Sequence, residues 1–337
     1  MKKKTIILSY DYELFFGKCS GTVKKTIIEP TETLMSAMEN CGLRGNFFVD
    51  YLMFWALENQ NDSLTRRDLQ LLKRQVADMV LRGHRVELHL HPHWIDAKYN
   101  GDGTWDFSDF THYSLSSLDE QTIMQLFKDG AEYLNNLAQE IIPDYRVCAF
   151  RAGGWAVQPF DKLKKAFKET GLSIDSSTSH GIYKYMIDSY YDFRDSPNKS
   201  FYFFNDDVCK EESNGEFREV PITSFHRNLF LVLIDRLYSK RGYFKSYADG
   251  THDRSTFGGT NLTRTSFWER FSKKHKLMFS LSMQSPLTIL SALFFHKKQC
   301  LYCYIDHPKD LSRATLWGIR LLGRFCETKN YIDYIGK

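Results

Sequence analysis

The sequence lacks an apolar segment of the roughly 18 residues that a membrane-spanning helix needs. It also lacks a marked excess of charge of either sign, because 45 Lys and Arg stand against 41 Asp and Glu. The resulting formal charge of +4 is too small to argue for nucleic acid as a partner. With 42% hydrophobic and 26% charged residues the chain is not expected to be disordered. We therefore expect a globular protein without a transmembrane span and without nucleic acid as its partner.

Neither a disulfide framework nor a secretory leader is indicated. The 7 cysteines are odd in number and scattered. Cys300 and Cys303 have CxxC spacing, but residues three apart in a strand face opposite sides, so we expect buried free thiols. Three N-terminal lysines precede an apolar run that is short and interrupted by Asp11 and Glu13, which favours a first β-strand over a signal peptide. From this we expect a cytoplasmic protein.

The first half of the chain alternates between strand and helix patterns. Strands are predicted at Thr5–Ser9, Gly45–Val49, Arg85–Leu90, Val147–Phe150 and Leu172–Asp175. Helices are predicted at Glu29–Cys41, Leu64–Leu81, Leu118–Ala138 and Pro159–Thr170. Such alternation is typical of parallel βαβ units with right-handed crossovers, so we predict an α/β fold.

Residues from about 181 to 300 interrupt this alternation. Two further strands are predicted at Phe201–Asn205 and Glu219–Thr223, and a loop rich in Gly, Ser and Thr runs from 248 to 265. The pattern resumes with a strand at Leu301–Ile305 and a helix at Leu311–Phe325. We interpret residues 1–337 as one barrel-like domain with an insertion at about 181–300, before the last strand.

Three histidines at the predicted end of a strand suggest a metal site. His89, His91 and His93 alternate, so in a strand they project to one side, where imidazole nitrogens can converge on an ion. Asp11 and Glu13 share a side at the end of the first strand. Because the carboxyl ends of parallel strands meet at one edge, two imidazoles and one carboxylate predict a divalent metal site with positions open to water and substrate.

Five segments in this order resemble the motifs of the metal-dependent polysaccharide deacetylases, the NodB-homology group or carbohydrate esterase family 4. They are Ser9–Glu13, Gly83-His84 with His89–His93, Phe150–Trp155, Asp175–Ser177 and Tyr304–Pro308. The resemblance spans nearly the whole chain and implies a distorted seven-stranded β/α barrel. It also implies a hydrolase that removes acetyl groups from N-acetylated sugars or polysaccharide precursors. A catalytically silent carbohydrate-binding relative, or an amidase acting on a non-sugar C–N bond, remains the alternative.

The resemblance also implies a role for each matching residue. His89, His93 and Glu13 would be metal ligands, Asp11 the general base, Arg151 the residue that holds this base, His307 the general acid and Asp175 its orienting partner. We expect zinc, although the same ligands also accept cobalt, nickel or iron. The usual pair of adjacent aspartates is absent, so the carboxylate ligand can be Glu13 or Asp11 itself. For His91 the sequence leaves open ligation, support of another ligand, or no role.

Aromatic residues near these motifs are candidates for sugar binding. Trp94, Trp105 and Trp155 are expected to offer ring faces to a substrate, although a loop packed by its own aromatic side chains is the alternative for the first two. Two apolar stretches, Asn228–Tyr238 and Pro286–Phe295, are flanked by basic residues. They can be core helices or interfacial helices, so peripheral contact with a membrane remains open, as does the oligomeric state.

Overall fold

A mixed sheet of nine strands organises the chain, for which a computed structural model describes residues 3–185, 190–252, 276–295 and 300–334. Its strands are β1 (Lys4–Tyr12), β2 (Asn46–Asp50), β3 (Arg85–Leu90), β4 (Ala149–Ala152), β5 (Ile174–Asp175), β6 (Tyr202–Phe204), β7 (Phe217–Glu219), β8 (Leu301–Asp306) and β9 (Cys326–Thr328). The order is β6-β7-β5-β4-β3-β2-β1-β8, and β9 pairs with the first residues of β1. Every pair is parallel except β6 with β7.

Eight α-helices connect or cover these strands in the described part of the chain. They are α1 (Glu29–Glu39), α2 (Tyr51–Gln60), α3 (Ser63–Leu81), α4 (Glu120–Gln139), α5 (Asp161–Thr170), α6 (Leu229–Lys240), α7 (Pro286–Phe295) and α8 (Arg313–Phe325). Three two-stranded antiparallel sheets lie outside the main sheet in the described part of the chain: Lys98–Tyr99 with Trp105–Asp106, Tyr183–Tyr185 with Tyr190–Asp192, and Ser224–His226 with Lys276–Met278. None of the helices within the described ranges is long and apolar enough to cross a bilayer.

The parallel register brings the ends of several strands to one edge. Tyr12 lies opposite Val49, which lies opposite Leu88, and this row continues to Phe150 and Asp175. The next residue along each of the first four strands belongs to the polar row Glu13, Asp50, His89 and Arg151. A sheet covered on both faces has such buried strands, and here β1 to β4 are almost entirely buried.

The predicted insertion contributes to the main sheet. β7 pairs in parallel with β5 and leads into a segment whose Thr223 N–H donates to the carbonyl of Cys303 in β8 (3.0 Å). The N–H of Cys303 donates in return to the Thr223 hydroxyl (2.9 Å), so the two ends of the sheet are bridged by backbone outside the strands. The α/β prediction is thus confirmed as a curled, mainly parallel sheet compatible with a β/α barrel. The seven-strand count is not confirmed, because eight strands lie along the sheet.

Most predicted elements agree in type and differ by a few residues at their ends, but α2 is an addition. It begins directly after β2, at Tyr51, and the sequence has no turn residue between them. Its first turns are buried on several sides, including Leu52, Met53 and Phe54, so no 3.6-residue period marks the helix. All seven cysteines are free, and Cys303 is buried whereas Cys300 is exposed. The part of the predicted loop from 253 to 265 lies outside the residues that the structure describes.

We predict that Leu88→Ala lowers the free energy of unfolding by about 2–5 kcal/mol, because it leaves a cavity between β3 and α4. Leu88 is fully buried, and a methyl group on Gly130 of α4 would come within 2.8 Å of its Cδ1. Leu81→Ala, at a leucine that is 68% exposed, is the matched control and is expected to change stability by less than about 0.5 kcal/mol. Equal losses of unfolding free energy in the two variants, measured by urea denaturation, would contradict the packing of Leu88 against α4.

Candidate metal and catalytic site

Glu13, the residue after β1, is the centre of a buried polar cluster. Its Oε2 lies 3.0 Å from Nε2 of His89 and 2.5 Å from Nε2 of His91, and its Oε1 accepts a hydrogen bond from Lys309 (2.7 Å). Burial alone would raise the pKa of this carboxyl, but Lys309, His91 and the hydrogen bonds from both histidines together lower it well below its usual value. Glu13 is therefore a buried anion surrounded by groups that stabilise its charge.

The side chains of Glu13, His89 and His91 form a group that can hold a metal ion. All three are buried, and one ligand atom from each lies within 4.8 Å of the others. The Nδ1 of His89 is 2.7 Å from the carbonyl oxygen of Arg151, to which it can only donate, so a neutral ring presents the lone pair of Nε2 to the group. One carboxylate and two imidazoles fit a divalent ion such as zinc, cobalt, nickel or iron.

Electrostatics distinguishes the two histidines of this group. Burial lowers the pKa of His91 to about 4, although the nearby Glu13 opposes this shift. Burial also lowers the pKa of His89, but Asp11 and Glu13 outweigh it and raise the pKa to about 8. His91 is therefore neutral near pH 7, which is the state in which imidazole binds metals.

His93, which the resemblance implies as a ligand, lies outside this group. β3 ends at Leu90, and the chain turns into a 3-10 helix at Pro92–Ile95, so the strand alternation that relates the histidines stops before His93. Its ring stacks on Tyr113 with centroids 5.5 Å apart and meets the edge of Phe16 at 4.2 Å. Neither ring nitrogen has a hydrogen-bond partner among the described residues. The structure thus brings His91 to the position expected for His93, whose ligation remains a prediction.

A glycine allows His91 to approach β4 closely. A Cβ atom at Gly153 would lie 2.6 Å from Nδ1 of His91 and 2.6 Å from the carbonyl oxygen of Leu90. Any larger residue would have to displace His91 from the group around Glu13. The glycine pair after Arg151 therefore has a steric function that the sequence pattern did not reveal.

Arg151 and Asp11 form a buried ion pair, as the sequence suggests. The Arg151 NH1 group donates to Oδ1 of Asp11 at 2.6 Å. The remaining donors of the guanidinium reach Ser9, Ser176 and Tyr331, so that the side chain is held on every side. The second oxygen of Asp11, Oδ2, faces the cluster.

His307 completes the cluster from the end of β8. Its Nε2 lies 3.7 Å from Oδ2 of Asp11 and 3.4 Å from Oε1 of Glu13, and its side chain is 21% exposed. Its Nδ1 is 3.2 Å from Oδ2 of Asp310. Burial lowers the pKa of His307, but the hydrogen bond to Asp310 and the nearby acids outweigh it and raise the pKa above its usual value.

Asp310, rather than Asp175, lies beside His307. The 3-10 helix Pro308–Asp310 brings this carboxylate back to the imidazole three residues earlier, while its other oxygen is 2.8 Å from Nε2 of His252. Asp175 instead accepts hydrogen bonds from the backbone and hydroxyl of Ser177, and burial raises the pKa of its carboxyl. The expected pairing of Asp175 with His307 is replaced because Asp310 is local to the histidine.

Sequence reasoning also missed Lys309. This residue is only 2% exposed, and its ammonium group donates to Glu13 and to the carbonyl oxygen of Leu14 (2.7 Å each). Lysine is rarely buried unless it is paired, so composition favours the surface for any given lysine. The one feature of the sequence that could have pointed to Lys309 as a site residue is its position two residues after His307.

The predicted sugar-binding tryptophans are placed differently from one another. Trp94 is 1% exposed and donates its indole N–H to Asp50 at 2.7 Å, while Trp105 is 4% exposed and packs edge-to-face on it at 5.2 Å. The loop after the histidines is thus packed by its own aromatic rings, the alternative raised by the sequence. Trp155 is partly exposed and meets Tyr191 edge-on at 5.9 Å.

Comparison with known proteins finds only distant structural likeness. No family model and no curated protein matches the chain. Among solved structures it is similar to a candidate polysaccharide deacetylase from Mycobacterium smegmatis, with 14% identity, 96% of this chain and 85% of that chain covered, and a TM-score of 0.45. It is also similar to a 4-alpha-glucanotransferase from Thermococcus litoralis, with 10% identity, 100% of this chain and 41% of that chain covered, and a TM-score of 0.47.

A third similar structure is a family 4 acetyl xylan esterase from Clostridium thermocellum in complex with a cobalt ion. It has 13% identity and a TM-score of 0.25, with 52% of this chain and 59% of that chain covered. Because these identities and TM-scores are low, the argument for function rests on the residues of the site.

We predict that His91→Ala weakens zinc binding more than His93→Ala, since only His91 presents a nitrogen to Glu13. Removal of one of three protein ligands is expected to lower affinity by about 10-fold or more. Isothermal titration with zinc, at a pH where both variants are folded, measures the difference. A larger loss for His93→Ala would instead support the ligand pair His89 and His93.

Proposed function

We propose that this chain is a metal-dependent hydrolase that removes acetyl groups from N-acetylated sugars or polysaccharide precursors. The observation that carries the proposal is the juxtaposition of Asp11 and His307 beside the group of Glu13, His89 and His91. An acid and a base flanking a metal-ligand set is an arrangement suited to the hydrolysis of an amide. The five ordered motifs of the sequence support the choice of an acetylated sugar.

In this proposal Glu13, His89 and His91 would hold the metal, for which zinc is our first choice, and the ion would supply a polarised acetyl carbonyl and a more acidic water molecule. Lys309 donates a hydrogen bond to Oε1 of Glu13 and thereby holds the carboxylate in one orientation.

Asp11 is the proposed general base and takes the proton of the attacking water at Oδ2. Arg151 holds Oδ1 by a short charge-assisted hydrogen bond, which orients the carboxylate. The partners of Arg151 are themselves buried, so the base is kept in place by the core of the protein.

His307 is the proposed general acid and donates a proton from Nε2 to the departing amine. Asp310 accepts from Nδ1 and thereby orients the ring and favours its protonated form. The 3.7 Å between Nε2 and Oδ2 of Asp11 is too long for a hydrogen bond, so both groups remain available to a substrate. Trp155 is the proposed platform for a sugar ring, since it alone of the three predicted tryptophans is partly exposed.

We predict that Asp11→Asn lowers acetate release from N-acetylglucosamine oligomers, assayed with added zinc or cobalt, by about 100-fold or more, because it removes the proton acceptor. The matched control is Asp144→Asn, at an exposed aspartate before the amino end of β4, which is expected to retain full activity. Full activity of Asp11→Asn would refute the proposed base.

The same assay separates the alternative functions. Glycan binding without metal and without turnover would identify a silent binding protein. Acetate release from small non-sugar amides, with none from the oligomers, would identify an amidase with the same residues in the same roles.

We predict that Asp310→Asn lowers kcat and leaves KM nearly unchanged, because it disturbs the orientation and protonation of His307 without touching the bound sugar. The loss is expected to be smaller than the about 100-fold expected for removal of the acid itself in His307→Gln. Asp175→Asn is the comparison variant and is expected to alter stability more than kcat. A larger loss of kcat in Asp175→Asn than in Asp310→Asn would instead support Asp175 as the partner of His307.

A further inference from the structure

We propose that the exposed face of α6, formed by Leu229, Phe230, Leu233 and Leu237, binds the surface of a lipid bilayer rich in anionic lipids. This interaction goes beyond the proposed hydrolase activity and can hold or fail independently of it. The four side chains are 54%, 61%, 55% and 46% exposed. Isolated exposed apolar residues are common, but four on one helix of twelve residues form a contiguous patch.

The structure separates α6 from the second apolar stretch. α7 buries Ile289, Ala292 and Leu293, as a core helix does. α6 instead buries Leu231 and a charged residue, Asp235. The two apolar segments that are alike in sequence therefore have different environments.

Asp235 determines which side of α6 faces outward. Its Oδ1 accepts from the backbone N–H of Ser285 (2.9 Å) and the hydroxyl of Thr288 (2.7 Å), and its Oδ2 pairs with Arg227 (2.6 Å). Because a buried carboxylate with these partners is costly to displace, the helix is held with its polar anchor inside. The apolar face is left on the outside, which is the reverse of an ordinary surface helix.

The charged side chains exposed on α6 and directly after it are basic. From 229 to 247 they are Arg236, Lys240, Arg241 and Lys245, and the single acid of this range, Asp235, is buried. An apolar helix face flanked by basic side chains is typical of helices that lie in the interface of anionic membranes. A second copy of the chain fits less well, because a symmetric contact would bring the same basic residues together.

The face is also linked to the candidate site. Beyond α6 the hydroxyl of Ser246 donates to the carbonyl of Lys309, and the N–H of Tyr247 donates to the carbonyl of Leu311 (3.0 Å). These contacts attach the end of the α6 region to the turn after His307. Docking through α6 would therefore hold the site close to the bilayer, where a sugar attached to a lipid can reach it.

The test is co-sedimentation of the full chain with vesicles of phosphatidylcholine alone or mixed with phosphatidylglycerol. We expect binding to the mixed vesicles that weakens as salt is raised. The double variant Phe230→Ser/Leu233→Ser is expected to lose about tenfold or more of this affinity. The control Leu81→Ser, at a leucine 68% exposed on α3, is expected to bind like the parent protein.

Three outcomes would overturn the proposal: no binding to either vesicle, unchanged binding of the double variant, or a concentration-dependent dimer in ultracentrifugation that the double variant abolishes. Circular dichroism establishes that the variants are folded. Acetate release from soluble oligomers without vesicles is expected to be the same in the double variant and the parent protein. Failure of the membrane contact is thereby distinguished from failure of the proposed activity.

Discussion

The buried guanidinium of Arg151 is the constraint on which the site depends. A cation that is fully buried must find partners for its donors, and Arg151 finds them on β1, after β5 and near the chain end at Tyr331. Its own carbonyl accepts from His89 on β3. One residue of β4 thus contacts Asp11, His89 and Tyr331, so a shift of Arg151 would disturb all three.

A balance of charge explains the rest of the cluster. The carboxylates of Asp11, Glu13 and Asp310 lie close together beneath the surface, where unpaired anions are unfavourable. Arg151 pairs with the first and Lys309 with the second, while the third lies between two histidines. One ligand atom from each of Glu13, His89 and His91 lies within 4.8 Å of the others, so this buried group can hold a divalent ion beside these acids.

The residues of this site come from two distant parts of the chain. The proposed base and ligands lie at the ends of β1 and β3, whereas the proposed acid, His307, follows β8. The N–H of Thr223 donates to the carbonyl of Cys303 in β8, and the N–H of Cys303 donates to the hydroxyl of Thr223. These contacts join the segment after β7 to the strand that precedes His307, and α6 lies in the same part of the chain.

The amino-acid sequence by itself determined the alternation of strands and helices, because hydrophobic periodicity and turn residues are local properties. It thereby determined that Asp11, His89, Arg151 and His307 meet, since parallel strands present their carboxyl ends at one edge. Only the tertiary structure placed His91, rather than His93, beside Glu13 and His89, because the chain leaves β3 after Leu90 and turns into a 3-10 helix at Pro92–Ile95. It likewise decided that Trp94 is buried and that the face of α6 is exposed. Burial depends on what packs against a residue from distant parts of the chain, and no local pattern contains that information.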